Sequence, residues 1–261
     1  MKDILQTIAE NKKREVKALF DKDKDFVSIF DDTFQLPVYS MAERLRTTKG
    51  GIIAEFKRRS PSKGEISPMA DICEIIPDYL QSGAAACSVL TDTRFFGGAA
   101  TDLSLARTLS QNMPLLRKDF IISESQIIEA RKLGASAVLL IAAILSKEEL
   151  KKYNSVTHDL GMEALIEIHD INELDKICFT PDMLGVNNRN LASFHTDISH
   201  SYELIDSLPK DTVLVAESGI KTPDDVKRLK NIGFTGFLIG EAFMSSQNPG
   251  KTLKQFINAI E

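Results

Sequence analysis

The chain has no tryptophan, three cysteines and four histidines among its 261 residues. Cys73, Cys87 and Cys178 are odd in number and far apart, which argues against a disulfide framework and fits a reduced compartment. His158, His169, His195 and His200 show no metal-ligand spacing among themselves or with cysteine, so no metal is expected. Long apolar runs are missing too. The longest, Ala137 to Leu145, is less than half the roughly 20 residues a membrane helix needs. The opening stretch, MKDILQTIAENKKREVKALF, lacks the apolar core of a secretory signal. A soluble, cytoplasmic protein without membrane contact is expected. Nor is there an excess of positive charge: 32 Lys and Arg face 37 Asp and Glu, a formal net charge of -5. That argues against general nucleic-acid binding, so an anionic ligand must be held by a local cluster of cations and backbone N–H groups.

What is present is 43% hydrophobic residues, much of it in short runs at fairly even spacing. The runs are GIIAE (51–55), AAACSVL (84–90), PLLRKDF (114–120), AVLLIAA (137–143), ALIEI (164–168), MLGVN (183–187), TVLVAES (212–218) and GFLIG (236–240). Most are bounded by turn residues and read as buried strands. Gly83, Gly134, Gly161 and Gly233 each close a charged amphipathic stretch a few residues before a run, the pattern of a helix ending in a left-handed cap. Pro114, Pro181 and Pro209 mark equivalent turns. Helical patterns fill the intervals, as from Ser123 to Leu133 and from Pro223 to Asn231.

Alternating strands and helices imply a parallel sheet. Eight units with apolar strands favour an α/β closed (β/α)8 TIM barrel. An open doubly wound sheet is the alternative, but no GxGxxG follows the first strand. Residues 1–49 stand outside the repeat. Ile4, Leu5, Ile8, Val16, Leu19 and Phe20 could form the apolar stripe of a charged helix, and this N-terminal helical extension is expected to cap one end of the barrel. No linker separates it, so a single domain over 1–261 is expected.

Active sites of such barrels lie at the C-terminal ends of the strands. Here those ends carry Glu55 and Lys57, Ser88, Lys118, Glu167, Asn187 and Arg189, and Glu217. Side chains alternate along a strand, so Glu55 and Lys57 share a side, as do Asn187 and Arg189. If all face inward, one mouth holds three carboxylates and three cations. Buried charge is costly unless paired, so this many charged strand ends marks a site more readily than a structural coincidence. Arg117 and Asp119 have the opposite parity to Lys118 and are expected to face the helices in structural roles.

Ser218-Gly219 follows the seventh strand; Gly240-Glu241 follows the eighth and precedes a short helical pattern. Loops after strands 7 and 8 with a short helix form a recurrent phosphate site, because free N–H groups converge on one anion. Glu241 is expected to contribute its N–H and turn its carboxylate away. The loop RRSPSKGEI (58–66) is basic and rich in turn residues, a composition suited to closing over a ligand.

Read together, IIAEFKRRSPSKGEI (52–66), SVLTD (88–92), LLRKDFI (115–121), ALIEIH (164–169), GVNNRNL (185–191), VAESGI (215–220) and FLIGEAFM (237–244) closely resemble the indole-3-glycerol-phosphate synthase family. The resemblance implies a lyase of tryptophan biosynthesis. It acts on a small-molecule phosphosugar, 1-(2-carboxyphenylamino)-1-deoxyribulose 5-phosphate, closing the indole ring with loss of carbon dioxide and water. No metal, nucleotide or flavin is implied, and a monomer or weak homo-oligomer is expected. By matching position, Lys118 resembles the general acid of ring closure and Glu167 the base or acid of dehydration. Lys57, Glu55 and Asn187 complete that set. Ser60, Ser88, Arg189, Glu217 and Ser218 match substrate-binding positions, and Phe96, Phe120 and Leu139 resemble the walls around the aromatic ring. The phosphate matches Ser218, Gly219, Gly240 and the Glu241 backbone, with help from Lys57. The alternatives are another phosphosugar barrel, such as phosphoribosylanthranilate isomerase, or a non-catalytic phosphate-binding barrel. The isomerase would want a Cys–Asp pair at strand ends, and Cys87 has no such partner pattern.

Overall fold

A computed structural model describes residues 4–20, 36–110, 112–190 and 195–260. Eight parallel strands close into a barrel: β1 (Ile52–Phe56), β2 (Ala86–Leu90), β3 (Leu115–Lys118), β4 (Ala137–Ile141), β5 (Glu163–Ile168), β6 (Met183–Asn187), β7 (Val213–Glu217) and β8 (Gly236–Ile239), with β8 pairing β1. The helices in chain order are α1 (Ile4–Phe20), α2 (Met41–Thr47), α3 (Ile72–Gln81), α4 (Thr93–Phe96), α5 (Ala100–Leu109), α6 (Glu124–Lys132), α7 (Lys147–Asp159), α8 (Ser199–Leu204), α9 (Pro223–Asn231), α10 (Glu241–Met244) and α11 (Pro249–Ile260). Among the described residues no helix is long and apolar enough to cross a membrane.

The strands are buried along nearly their whole length because helices cover the barrel outside and side chains fill it inside. Alternation divides the core in two. Ile53, Leu116, Leu139, Leu165, Met183, Val215 and Leu238 pack in the barrel interior. Ile52, Ala54, Cys87, Val89, Leu115, Val138 and Ile166 pack outward against the helices. This parity makes Glu55, Lys118, Glu167, Asn187 and Glu217 inward-facing. Gly83, Gly134, Gly161 and Gly233 all have positive φ after α3, α6, α7 and α9, the left-handed caps read from the sequence. Local signals set the helix starts as well: Thr222 and Asp225 form a capping box ahead of α9, with Pro223 at its first turn.

The N-terminal extension departs from the expectation of a cap on one end. Its two helices lie at opposite ends of the barrel. At the start of β5, Glu163 accepts hydrogen bonds from the N–H groups of Met41 (2.7 Å) and Ala42 (3.0 Å), seating α2 against the N-terminal ends of the strands. α1 instead lies at the C-terminal mouth, where Lys12 pairs with Asp92 (2.9 Å) and Asp119 (3.0 Å) beyond the ends of β2 and β3. Leu5 and Ile8 are buried, while Val16 is half-buried; the expected contributions of the Leu19 and Phe20 side chains lie outside the described residues.

Candidate functional site

One cavity at the C-terminal mouth is lined by Glu55, Lys57, Ser60, Phe96, Lys118, Phe120, Leu139, Glu167, Asn187, Arg189, Glu217, Ser218, Gly219, Gly240 and Glu241. Of the sequence-predicted site residues, only Ser88 is not among them. It is fully buried on β2, paired in register with Glu55 and Leu116, and does not line the cavity. Its parity is that of the mouth, but it sits mid-strand, where the barrel is packed solid.

Charge is concentrated at the centre. Lys118 Nζ lies 3.3 Å from Glu167 Oε2 and 3.6 Å from Glu217 Oε2, and Lys57 Nζ lies 2.7 Å from Glu55 Oε1. None of these five side chains is more than 16% exposed. Their low-dielectric setting makes each protonation state depend on its neighbours. Burial pushes the Lys118 ammonium down, but Glu167, Glu217 and Glu55 outweigh it and hold the group above the ordinary lysine range. Burial likewise raises the Glu167 carboxyl, yet Lys118 and then His169 bring it below the ordinary range. Glu217 goes the other way: burial and the like charge of Glu167 raise it well above the usual carboxylate value. The site therefore sets an ammonium–carboxylate pair beside a carboxyl held above its usual range. Such splitting of neighbouring groups is what acid–base chemistry at one centre requires.

Around this centre the walls differ. On one side Phe96 and Phe120 stand with ring centroids 5.9 Å apart, beside Leu139. α1 contributes Ile4, Leu5 and Ile8 to the same cavity. On the other side lie Ser218-Gly219 and Gly240-Glu241. Ser218 has φ 66°, the one positive value among described non-glycine residues, followed by Gly219 at 79°. Strain of this kind is held where the surrounding structure over-determines it, often at ligand sites. Gly240 is needed for space: a Cβ there would come 2.4 Å from Glu55 Oε1. α10 begins at Glu241, leaving its first N–H groups without helical partners. The Glu241 carboxylate turns to Lys63 Nζ at 3.2 Å. Gly240→Ala is expected to displace Glu55 and with it Lys57, raising KM for a phosphorylated ligand about tenfold, a contact of roughly 1.4 kcal/mol; steady-state kinetics would measure it.

The loop after β1 folds over this mouth as a two-strand hairpin, Arg59–Ser60 against Gly64–Glu65. Arg58 grips Asp102 with two hydrogen bonds of 2.6 and 3.0 Å, Arg59 donates to the Thr93 carbonyl at 2.8 Å, and Arg189 donates to Ser62 Oγ. Among the described residues, no cluster of three or more His, Cys, Asp or Glu has an arrangement that would hold a metal ion.

One further sequence expectation needs correction, and two features were not read at all. Arg117 faces α6, where it meets the Gln126 carbonyl (2.8 Å) and Glu129 (2.7 Å), as its parity implies. Asp119 does not follow that parity into the helix layer. β3 ends at Lys118, alternation stops there, and Asp119 turns to the rim to bind Lys12 and Thr91. His195 is exposed, and His200 is half-buried and donates from Nε2 to the His169 carbonyl at 2.9 Å. The cavity also takes in His169, two residues beyond Glu167 on the same parity, and the apolar face of α1. Both were legible in principle. Alternation extended by one step points His169 into the mouth, and Lys12 stands in line with Leu5 and Ile8 at helical spacing, a charge in an apolar stripe that calls for buried partners.

Comparison with known proteins adds an independent line. A family model described as indole-3-glycerol phosphate synthase matches residues 5–256. An indole-3-glycerol phosphate synthase of Bacteroides thetaiotaomicron is 49% identical over 265 residues, covering 100% of both chains. One from Campylobacter jejuni is 47% identical, covering 79% of this chain and 80% of its own. Among solved structures, 3-hexulose-6-phosphate synthase from Salmonella typhimurium aligns with a TM-score of 0.63 at 11% identity, over 81% of this chain and 100% of that one, a likeness of fold alone.

Proposed function

The chain belongs to the indole-3-glycerol phosphate synthase family, and from that membership we propose that its mouth converts 1-(2-carboxyphenylamino)-1-deoxyribulose 5-phosphate to indole-3-glycerol phosphate, carbon dioxide and water. The observation that carries the reading is the placement of Lys118 between Glu167 and Glu217, with an aromatic wall on one side and the glycine-lined turns after β7 and β8 on the other.

The aromatic ring of the substrate lies against Phe96, Phe120 and Leu139, and its phosphate takes the backbone N–H groups at Gly219, Gly240 and Glu241. The ring carbon bearing the carboxylate attacks the C2 ketone. Negative charge grows on the ketone oxygen, and the Lys118 ammonium stabilises it and delivers a proton. Carbon dioxide then leaves, and its bonding electrons restore the aromatic ring. An apolar setting favours that step because charge is lost there. In the final step Glu167 takes a proton from the substrate while the C2 hydroxyl departs as water with a proton from Lys57; the proton on Glu167 then returns to Lys118, 3.3 Å away, which gave its own in ring closure. Glu55 holds Lys57 in place, and Asn187, Arg189, Ser60, Glu217 and Ser218 orient the substrate. We further propose that 1–261 is a single cytoplasmic domain, a monomer or weak homo-oligomer, working without metal or cofactor.

Product formation is followed easily because the chain has no tryptophan to mask indole fluorescence. Purified protein given this substrate, with chelator present and no nucleotide, should develop the fluorescence of an indole and release one carbon dioxide per product. Absence of both with intact substrate would remove the reading. The isomerase alternative loses support from Cys87, which packs outward against the helices, away from the mouth.

A further inference from the structure

His169 is a buried titratable side chain that the reaction above leaves without work. Its ring is 8% exposed, lines the cavity, and places Nε2 3.2 Å from Glu167 Oε1. Glu167 thus accepts a hydrogen bond from Lys118 on Oε2 and has His169 at ion-pair distance from Oε1. The backbone of His169 is fixed from two directions: its N–H donates to Glu173 Oε2 at 2.8 Å, and its carbonyl accepts from His200 Nε2 at 2.9 Å. Neither ring nitrogen completes a hydrogen bond among the described residues, although Nε2 stands at ion-pair distance from Glu167. The backbone hold leaves an unsatisfied, buried Nε2 facing the Glu167 carboxylate.

We propose that His169 is a positioning residue for Glu167: its imidazole, 3.2 Å from Oε1, turns to donate to that oxygen in the working enzyme, aims the carboxylate into the cavity and supports its anionic form while Lys118 serves Oε2. The proposal rests on the reading that Glu167 takes a proton during dehydration. The electrostatics agree, since His169 stands next to Lys118 among the groups that lower the Glu167 carboxyl against the effect of burial. A charge-assisted hydrogen bond of this kind is stronger than a neutral one, and its loss acts on the base rather than on substrate contacts.

The test is a double-mutant cycle on the full-length enzyme with the phosphorylated substrate. His169→Leu should lower kcat about ten- to a hundredfold, the scale of a lost hydrogen bond to a charged group, with KM within about twofold. His169→Gln, whose amide nitrogen reaches the position of Nε2, should recover most of that loss. His169→Asn, too short to reach Oε1, should repeat the leucine result and substitutes for it if that variant does not fold. Placed on Glu167→Gln, His169→Leu should cost nothing more, because residues acting through one another are not additive. Additive losses in an active enzyme, or a glutamine variant as impaired as leucine, would overturn the proposal and leave the function standing. A wild-type protein without turnover removes both.

Discussion

Lys118→Ala is expected to lower turnover at least about a hundredfold, the scale of lost general-acid catalysis, in a protein that still folds. Three observations set that size. The ammonium is the cation nearest two carboxyl groups at the cavity centre, at 3.3 Å from Glu167 and 3.6 Å from Glu217. It is held charged against burial by those same groups, so it reaches the reaction as a proton donor. It also holds Glu167 ionised, so one substitution removes the acid and weakens the base. The variant has a pH signature. A carboxyl lowered in the folded state stabilises fully above its unfolded value, near 4.3 for Glu, and loses that contribution as pH falls through the folded value. Without Lys118 the Glu167 contribution shrinks, because the largest of the groups that lower its carboxyl is gone. The stability gap between wild type and variant, measured by urea unfolding, should therefore be widest near pH 7 and narrow as pH drops below about 4. A near-normal rate would assign the acid to Lys57 instead.

The second large effect is expected at the rim. Lys12→Met should weaken the docking of α1 by about 3 kcal/mol, the low end of the cost of breaking a buried ion pair. Lys12 is 5% exposed and joins Asp92 and Asp119, which are 0% and 3% exposed. Those two carboxylates raise the lysine above its ordinary range although burial acts against it. The low end applies because partners remain: Asp119 retains Arg117 and Thr91, and Asp92 retains the Phe95 N–H. Since Ile4, Leu5 and Ile8 form part of the cavity wall, the same variant should raise KM. Hydrogen exchange resolved to residues 4–20 would register the change as a loss of protection on the order of a hundredfold. Unaltered protection would mean that apolar contacts alone hold the helix.

The sequence was most informative where one physical rule governs many residues. Eight apolar runs, the four left-handed glycine caps and the alternation that turns Glu55, Lys118, Glu167, Asn187 and Glu217 inward all follow from strand geometry and burial. The rule failed where the strand stopped. Asp119 lies one residue past β3, so its direction is set by Lys12, a partner more than a hundred residues away that periodicity cannot specify. Ser88 shows a converse limit: parity gives the face of a strand but not the depth, and depth decides whether a side chain meets ligand or core. The position of α1 over the mouth, with α2 at the far end, depends on long-range pairs such as Lys12–Asp92 and the Met41 contact with Glu163. An amphipathic stripe announces that a helix must cover something without saying what.

The central claim is that residues from β1, β3 and β5 act on one bound substrate beside one anion cradle, and a crystal structure with a bound substrate analogue tests it most directly. The analogue would carry an alcohol in place of the C2 ketone, so that ring closure is blocked. The prediction is a phosphate within hydrogen-bond distance of the Gly219, Gly240 and Glu241 N–H groups, and the C2 oxygen within reach of Lys118 Nζ. An analogue whose phosphate lies away from those turns, or whose C2 oxygen faces away from Lys118, would contradict the account.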